Sequence, residues 1–184
     1  MRPLPGPSGL GEVAMLQSIT LSYDAKEDRI LAATNLGRPD SWSCWLTRRL
    51  VLALLDQAPV YVSQTSALTQ KTPVDYRSDL IAFEREASLA QTAGAMSRTD
   101  DQVVRQGAQS AELAERVTLH NLGVCFRVEL HGVAGGSAIG DMDRAQFQRV
   151  LQMLSDEAVK AGWMVPPPAV AAPPPDGGPK ARAN

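Results

Sequence analysis

A chain of 184 residues, 44% hydrophobic and 21% charged, holds enough apolar material for one folded domain. Eighteen basic residues against twenty acidic ones give a formal charge of −2, so no field of one sign draws the chain to nucleic acid or to an anionic membrane. No apolar run approaches the ~18 residues that span a bilayer, and Cys44 and Cys125 stand far apart in apolar, strand-like runs, which makes two reduced thiols and a cytoplasmic location the expectation.

Residues 1–14 carry Pro3, Pro5 and Pro7 among several glycines and are expected to form an extension without regular structure, with Met15 as an alternative start. Residues 15–164 are expected to form a single α+β domain. Its first unit, Ile19–Ala58, opens with Ile19, Leu21 and Tyr23 alternating as in a half-buried strand. A turn at Asp24–Asp28, a second strand at Arg29–Thr34 and a short third strand lead to a helix. Thr47 is placed to cap it, and Val51, Leu54, Leu55 and Ala58 share one face. Pro59 is expected to kink or stop this helix, with Val60–Thr69 continuing at a new angle.

Residues 59–114 read as a helical middle segment. Thr72-Pro73 followed by Asp75 is a helix start, after which Tyr76, Leu80, Phe83, Ala87 and Ala90 run along one face. A further helix is expected from Thr99, with Gln102 in capping-box position. The second unit, Val117–Ala158, repeats the order of the first. Val117 and Leu119 open it, Asn121–Gly123 turn, and Cys125–His131 form a strand alternating through Phe126, Val128 and Leu130. Asp143 then caps a helix whose Phe147, Val150, Leu151 and Leu154 match the phase of the first. The expected architecture is therefore two ββ(β)α units, each an antiparallel sheet plus a helix, related by internal duplication. Residues 165–184, with PPPAVAAPPP at their start, read as a Pro-rich tail without regular structure.

Catalytic signals are sparse. The glycine-rich loop Gly132–Asp141 has Asp141-Met142-Asp143 where a phosphate-binding loop needs Lys-Ser or Lys-Thr, so it reads as a hairpin connection. Ser137 misses the nucleophile-elbow spacing because Ile139 occupies the final glycine position. His120 and His131 fall on paired strands with Glu129 on the face of His131, but no CxxC or HExxH accompanies them. A Cys125–His pair lacks any sign of an oxyanion hole. No catalytic residue, metal or cofactor is assigned.

The densest unusual segment is Trp42-Ser43-Cys44-Trp45-Leu46-Thr47-Arg48-Arg49. Trp42, Trp45, Arg48 and Arg49 are candidate interaction residues, because indoles and guanidiniums anchor protein interfaces. The alternative is a core tryptophan with arginine stems packed over it and the guanidiniums paired to Asp40, Asp56 or the second unit. Over most of residues 15–164 the chain resembles uncharacterised bacterial proteins that carry an (F/W)WLTRR-type segment after two strands. Their last helix closes on a GW-like pair, as Gly162-Trp163 does here. The resemblance implies this fold and a bacterial source, and transfers no activity.

Three functions are weighed. The first is a non-enzymatic interaction or assembly protein that binds a protein partner or itself. The second is a single-stranded nucleic-acid-binding module of the duplicated sheet-plus-helix type, which needs a basic, aromatic-bearing sheet and is opposed by 5% aromatics and the acidic balance. The third is a small enzyme with an unlisted site.

Overall fold

The computed structural model describes residues 13–95 and 100–164. Two three-stranded antiparallel meanders form most of the sheet. One comprises β2 (Ile19–Asp24), β3 (Arg29–Thr34) and β4 (Trp42–Leu46), the other β5 (Glu112–Asn121), β6 (Phe126–Gly132) and β7 (Ser137–Met142). They join edge to edge, β5 running parallel to β4 at Cys44↔Glu112 and Trp45↔Leu113, while the short β1 (Val13–Met15) runs parallel to β7. The sheet is thus mixed rather than antiparallel. Tight turns keep each meander antiparallel, but β5 meets β4 and β1 meets β7, and both joins are parallel.

The strand order is β1-β7-β6-β5-β4-β3-β2. Only residues 16–18 separate β1 from β2, although these strands stand at opposite ends of that order, so the sheet curls to bring its ends together. Asn35 holds the closure. It is fully buried, and its side-chain oxygen accepts from the amides of Gln17 (2.9 Å) and Ser18 (3.2 Å). Its side-chain nitrogen donates to the Met15 carbonyl (2.6 Å) and to Asp40 (2.9 Å).

Two long helices fill the mouth between the splayed halves. Helix α1 (Arg48–Gln64) starts at Thr47, whose hydroxyl accepts from the Leu50 amide, and α5 (Arg144–Lys160) starts at Asp143 in a full capping box with Gln146. Each helix crosses to the opposite half. Ala58 and Val62 of α1 pack on Phe126, Val128 and Met142, together with Phe147 and Leu151. Leu154 and Ala158 of α5, with Trp163 beyond it, pack on Leu21, Ile30 and Ala32. Each large apolar side chain buried this way contributes about 1.5–3 kcal/mol, so this crossing adds to the two strand joins in holding the halves together.

Helix α1 continues through Pro59 instead of kinking or stopping there. Buried Ala58 and Val62 hold the turns on both sides of the proline, and Arg144 donates to the Val62 carbonyl (2.8 Å) and the Thr65 hydroxyl (3.0 Å) at the helix end. A cation there also suits the helix dipole. Between the halves lie α2 (Ala67–Lys71), α3 (Arg77–Gln91, after a tight turn at Val74–Tyr76) and α4 (Asp101–Ser110).

The middle segment departs from expectation at the start of its last helix and at its C-terminal end. Helix α4 is capped by Asp100, whose carboxylate accepts from the Gln102 amide, and Thr99 lies outside the described residues. Strand β5 begins at Glu112, where helix was expected, because pairing with β4 extends it backwards. The apolar stripe of α3 is turned mostly outward, with Leu80 alone half-buried. Phe83 is 67% exposed and Tyr76, just before the helix, is 65% exposed, whereas Ser88 is buried and Glu84 accepts from the Ser66 hydroxyl. At the N-terminus Val13 and Ala14, expected in the unstructured extension, form β1. The expectations for residues 1–12 and 165–184 lie outside the described residues.

Candidate functional site

The Trp/Arg segment spans β4 and the first turn of α1. Alternation along β4 sends its two indoles to opposite faces. Trp42 shares a face with Cys44 and Leu46 and packs on the core between sheet and long helices. Trp45 is opposite Leu31 and lines a shallow hollow with Val104, Arg105 and Ala108 of α4. Both indoles are half-buried. Arg48 and Arg49 are exposed, and neither makes an ion pair among the described residues. Asp40 instead serves Asn35 and Arg38. The two indoles therefore do not share one patch.

The indole N–H of Trp42 donates to Glu112 (2.8 Å), 70 residues away in sequence, and the other carboxylate oxygen of Glu112 accepts from the Ala134 amide. This carboxylate sits inside the glycine-rich loop. A Cβ built on Gly132 would lie 2.0 Å from the Glu112 carboxyl carbon, and one on Gly136 would lie 2.2 Å from both Glu112 and the Trp42 nitrogen. The glycines exist to admit a resident carboxylate and an indole, and Glu112 takes the place an anion would need.

Cys44 is fully buried beneath this cluster. Burial first, and then the charge of Glu112, push its thiol up to about 12. It is no nucleophile, since the thiolate is the reactive form. We expect iodoacetamide at about pH 8 to label one thiol of the folded protein, the half-buried Cys125, and both thiols in denaturant. Mass spectrometry counts the adducts, and rapid labelling of Cys44 in the folded state would contradict this account.

The sheet face turned away from the long helices gathers the remaining polar chemistry on β5, β6 and β7. Glu129 lies between both histidines, 3.4 Å from His120 and 3.2 Å from His131. Arg127 grips Asp141 through two hydrogen bonds of 2.8 and 3.0 Å, which hold the Asp141 carboxyl below its usual range. Among the described residues no three metal-ligating side chains converge on one point. No hydrogen bond joins Cys125 to either histidine among them, so the nucleophile pair drawn from sequence is not assembled.

Two apolar features missed by reading for catalysis lie in the open. One is the outward stripe of α3 with Val74 and Tyr76 before it. The other is a ledge of about 550 Å³ whose floor is Val117 and Leu119 of β5 and whose wall is the outer flank of α1, including Ala53, Gln57, Val60 and Gln64. Helical spacing does mark the first stripe. The ledge depends on β4 ending beside the start of β5, for which a single sequence carries no signal. No described helix is long and apolar enough to cross a membrane. No protein-family model, no curated protein and no solved structure matches the chain.

Proposed function

We propose that this chain is a non-enzymatic interaction protein, an assembly or accessory factor that acts by presenting protein-binding surfaces on a duplicated scaffold. The duplication reading is supported by the shared order of three strands and a helix, by Thr47 and Asp143 capping equivalent helices, and by the reciprocal crossing of α1 and α5. The binding reading is carried by one observation, the outward apolar stripe of α3. Tyr76, Phe83, Ala87 and Ala90 all face away from α5, and Val74 precedes them at 73% exposure. Aromatic side chains held in water at helical spacing forgo the stabilisation of burial, and a partner protein with an apolar face restores it. The chain's surface charges, Arg77 and Asp79 among them, flank the stripe as a polar rim does an interface core.

The test uses the full chain as bait in extracts of its source cells. Wild type is expected to retain a defined protein partner that the Tyr76→Ser, Phe83→Ser double variant loses, with a melting temperature changed by no more than a few degrees. Retention of every partner by a folded double variant overturns this use of α3.

A further inference from the structure

The first strands of the two meanders differ at the edge turned away from their own hairpin. The edge of β2 is covered by α5, with the Tyr23 amide donating to Glu157 (2.8 Å) and Trp163 set edge-on to the Tyr23 ring at 5.8 Å. The corresponding edge of β5 is bare. Beyond Leu113 no described strand pairs with it, because β4 gives way to α1 one residue after Leu46.

The hairpin fixes which groups that edge presents. The Leu122 amide donates to the Cys125 carbonyl (2.9 Å), closing the β5–β6 turn. Pairs then alternate along the ladder, so that 120/127, 118/129 and 116/131 bond across it, and the amides and carbonyls of Val117, Leu119 and Asn121 turn to the open edge. An unpaired, half-apolar edge with polar backbone groups is a template for another strand.

The wall above that edge identifies the strand's owner. At 100° per residue Arg49, Ala53, Asp56 and Val60 fall on one outward stripe of α1, and all four are exposed. Neither Arg49 nor Asp56 has a hydrogen-bond or ion-pair partner among the described residues. They stand two turns apart with the small Ala53 near their midpoint. A two-fold axis normal to the sheet sets such a stripe against itself in the antiparallel sense. Arg49 of each copy then faces Asp56 of the other, and Ala53 lets the helices approach closely. The same axis through Thr118 pairs the strands antiparallel, places Val117 of one copy opposite Leu119 of the other, and continues the apolar floor across the junction. We propose that the β5 edge and the outer flank of α1 form an isologous dimer interface whose occupant is a second copy of this chain.

This surface is distinct from the α3 stripe, so the self-association stands or falls apart from the partner-binding reading. Sedimentation equilibrium on the full chain, over about 1–100 µM, tests it. Wild type is expected to dimerise within that range. Arg49→Glu and Asp56→Arg should each weaken dimerisation by about tenfold or more, because two attractive contacts become two repulsive ones. The double charge swap should return the dissociation constant to within about threefold of wild type, as an antiparallel pairing restores both contacts. Circular dichroism confirms that these surface variants stay folded. A wild type that remains monomeric, single variants that dimerise like wild type, or a double variant that fails to recover each overturns the proposal. A monomer that still captures a partner through Tyr76 and Phe83 leaves the interaction reading intact, and loss of both results removes both.

Discussion

Asn35→Ala is expected to destabilise the protein by about 3–4 kcal/mol, a large share of what a domain of this size has to lose. The side chain satisfies two backbone amides, one backbone carbonyl and one carboxylate oxygen from a fully buried position. Truncation leaves those groups without their partner, and a backbone group costs about 1–3 kcal/mol when it finds no substitute; water reaches the exposed Met15, Gln17 and Ser18 and replaces part of the loss. The backbone adds a second contribution. Asn35 has φ +51°, in the left-handed region that asparagine tolerates and alanine disfavours by about 1–2 kcal/mol. Asn35→Gly separates the two. It relieves the backbone but lacks the hydrogen bonds, so chemical denaturation should place it about 1 kcal/mol above the alanine variant and still well below wild type. If both variants unfold within about 0.5 kcal/mol of wild type, the closure between β1, β2 and the β3–β4 turn does not depend on this residue.

What the sequence disclosed was local. Thr47 and Asp143 are caps because hydroxyl and carboxylate oxygens beside an apolar-periodic run have one good use, and both accept the expected amide. Strand β3 falls at Arg29–Thr34 as its pattern indicates, and the helix phases are right because burial of Val51 and Ala58, or of Phe147, Leu151 and Leu154, requires them. What stayed hidden was non-local. The pairing of Val13–Met15 with residues 137–139 spans more than 120 positions, and three residues carry too little pattern to announce a strand. The stripe of α3 says that one face is apolar, not that the face turns outward; only the packing of the opposite face toward α5 decides that. Within the candidate site, exposure of Arg48 and Arg49 follows from charge, but the splitting of Trp42 from Trp45 needed the strand boundary. The partner of Trp42 needed a residue 70 positions away.

Glu112 and the glycines around it permit the sharpest check on whether the loop is a binding device or a piece of scaffold. Gly132→Ala is expected to cost about 2–3 kcal/mol, because its Cβ would occupy the place of the Glu112 carboxyl group and force that group off both Trp42 and the Ala134 amide. Glu112→Ala should cost a comparable amount through the same two lost bonds. Combined, the two changes should be far less than additive, since the three atoms nearest the new Cβ at 132 all belong to the Glu112 carboxyl group and go with it. A double-mutant cycle in denaturant should therefore return a coupling of about 1.5–3 kcal/mol. Were the glycines kept for an external phosphate, the cycle would be additive and inorganic phosphate would raise the melting temperature of wild type with the logarithm of its concentration above the dissociation constant. The resident carboxylate predicts no such rise, because Glu112 already occupies the Ala134 amide and its charge opposes an incoming anion. Additivity together with phosphate stabilisation would transfer the loop from scaffold to ligand site. Strong coupling without it leaves Glu112 as the strut that ties β4 and β5 to the β6–β7 turn.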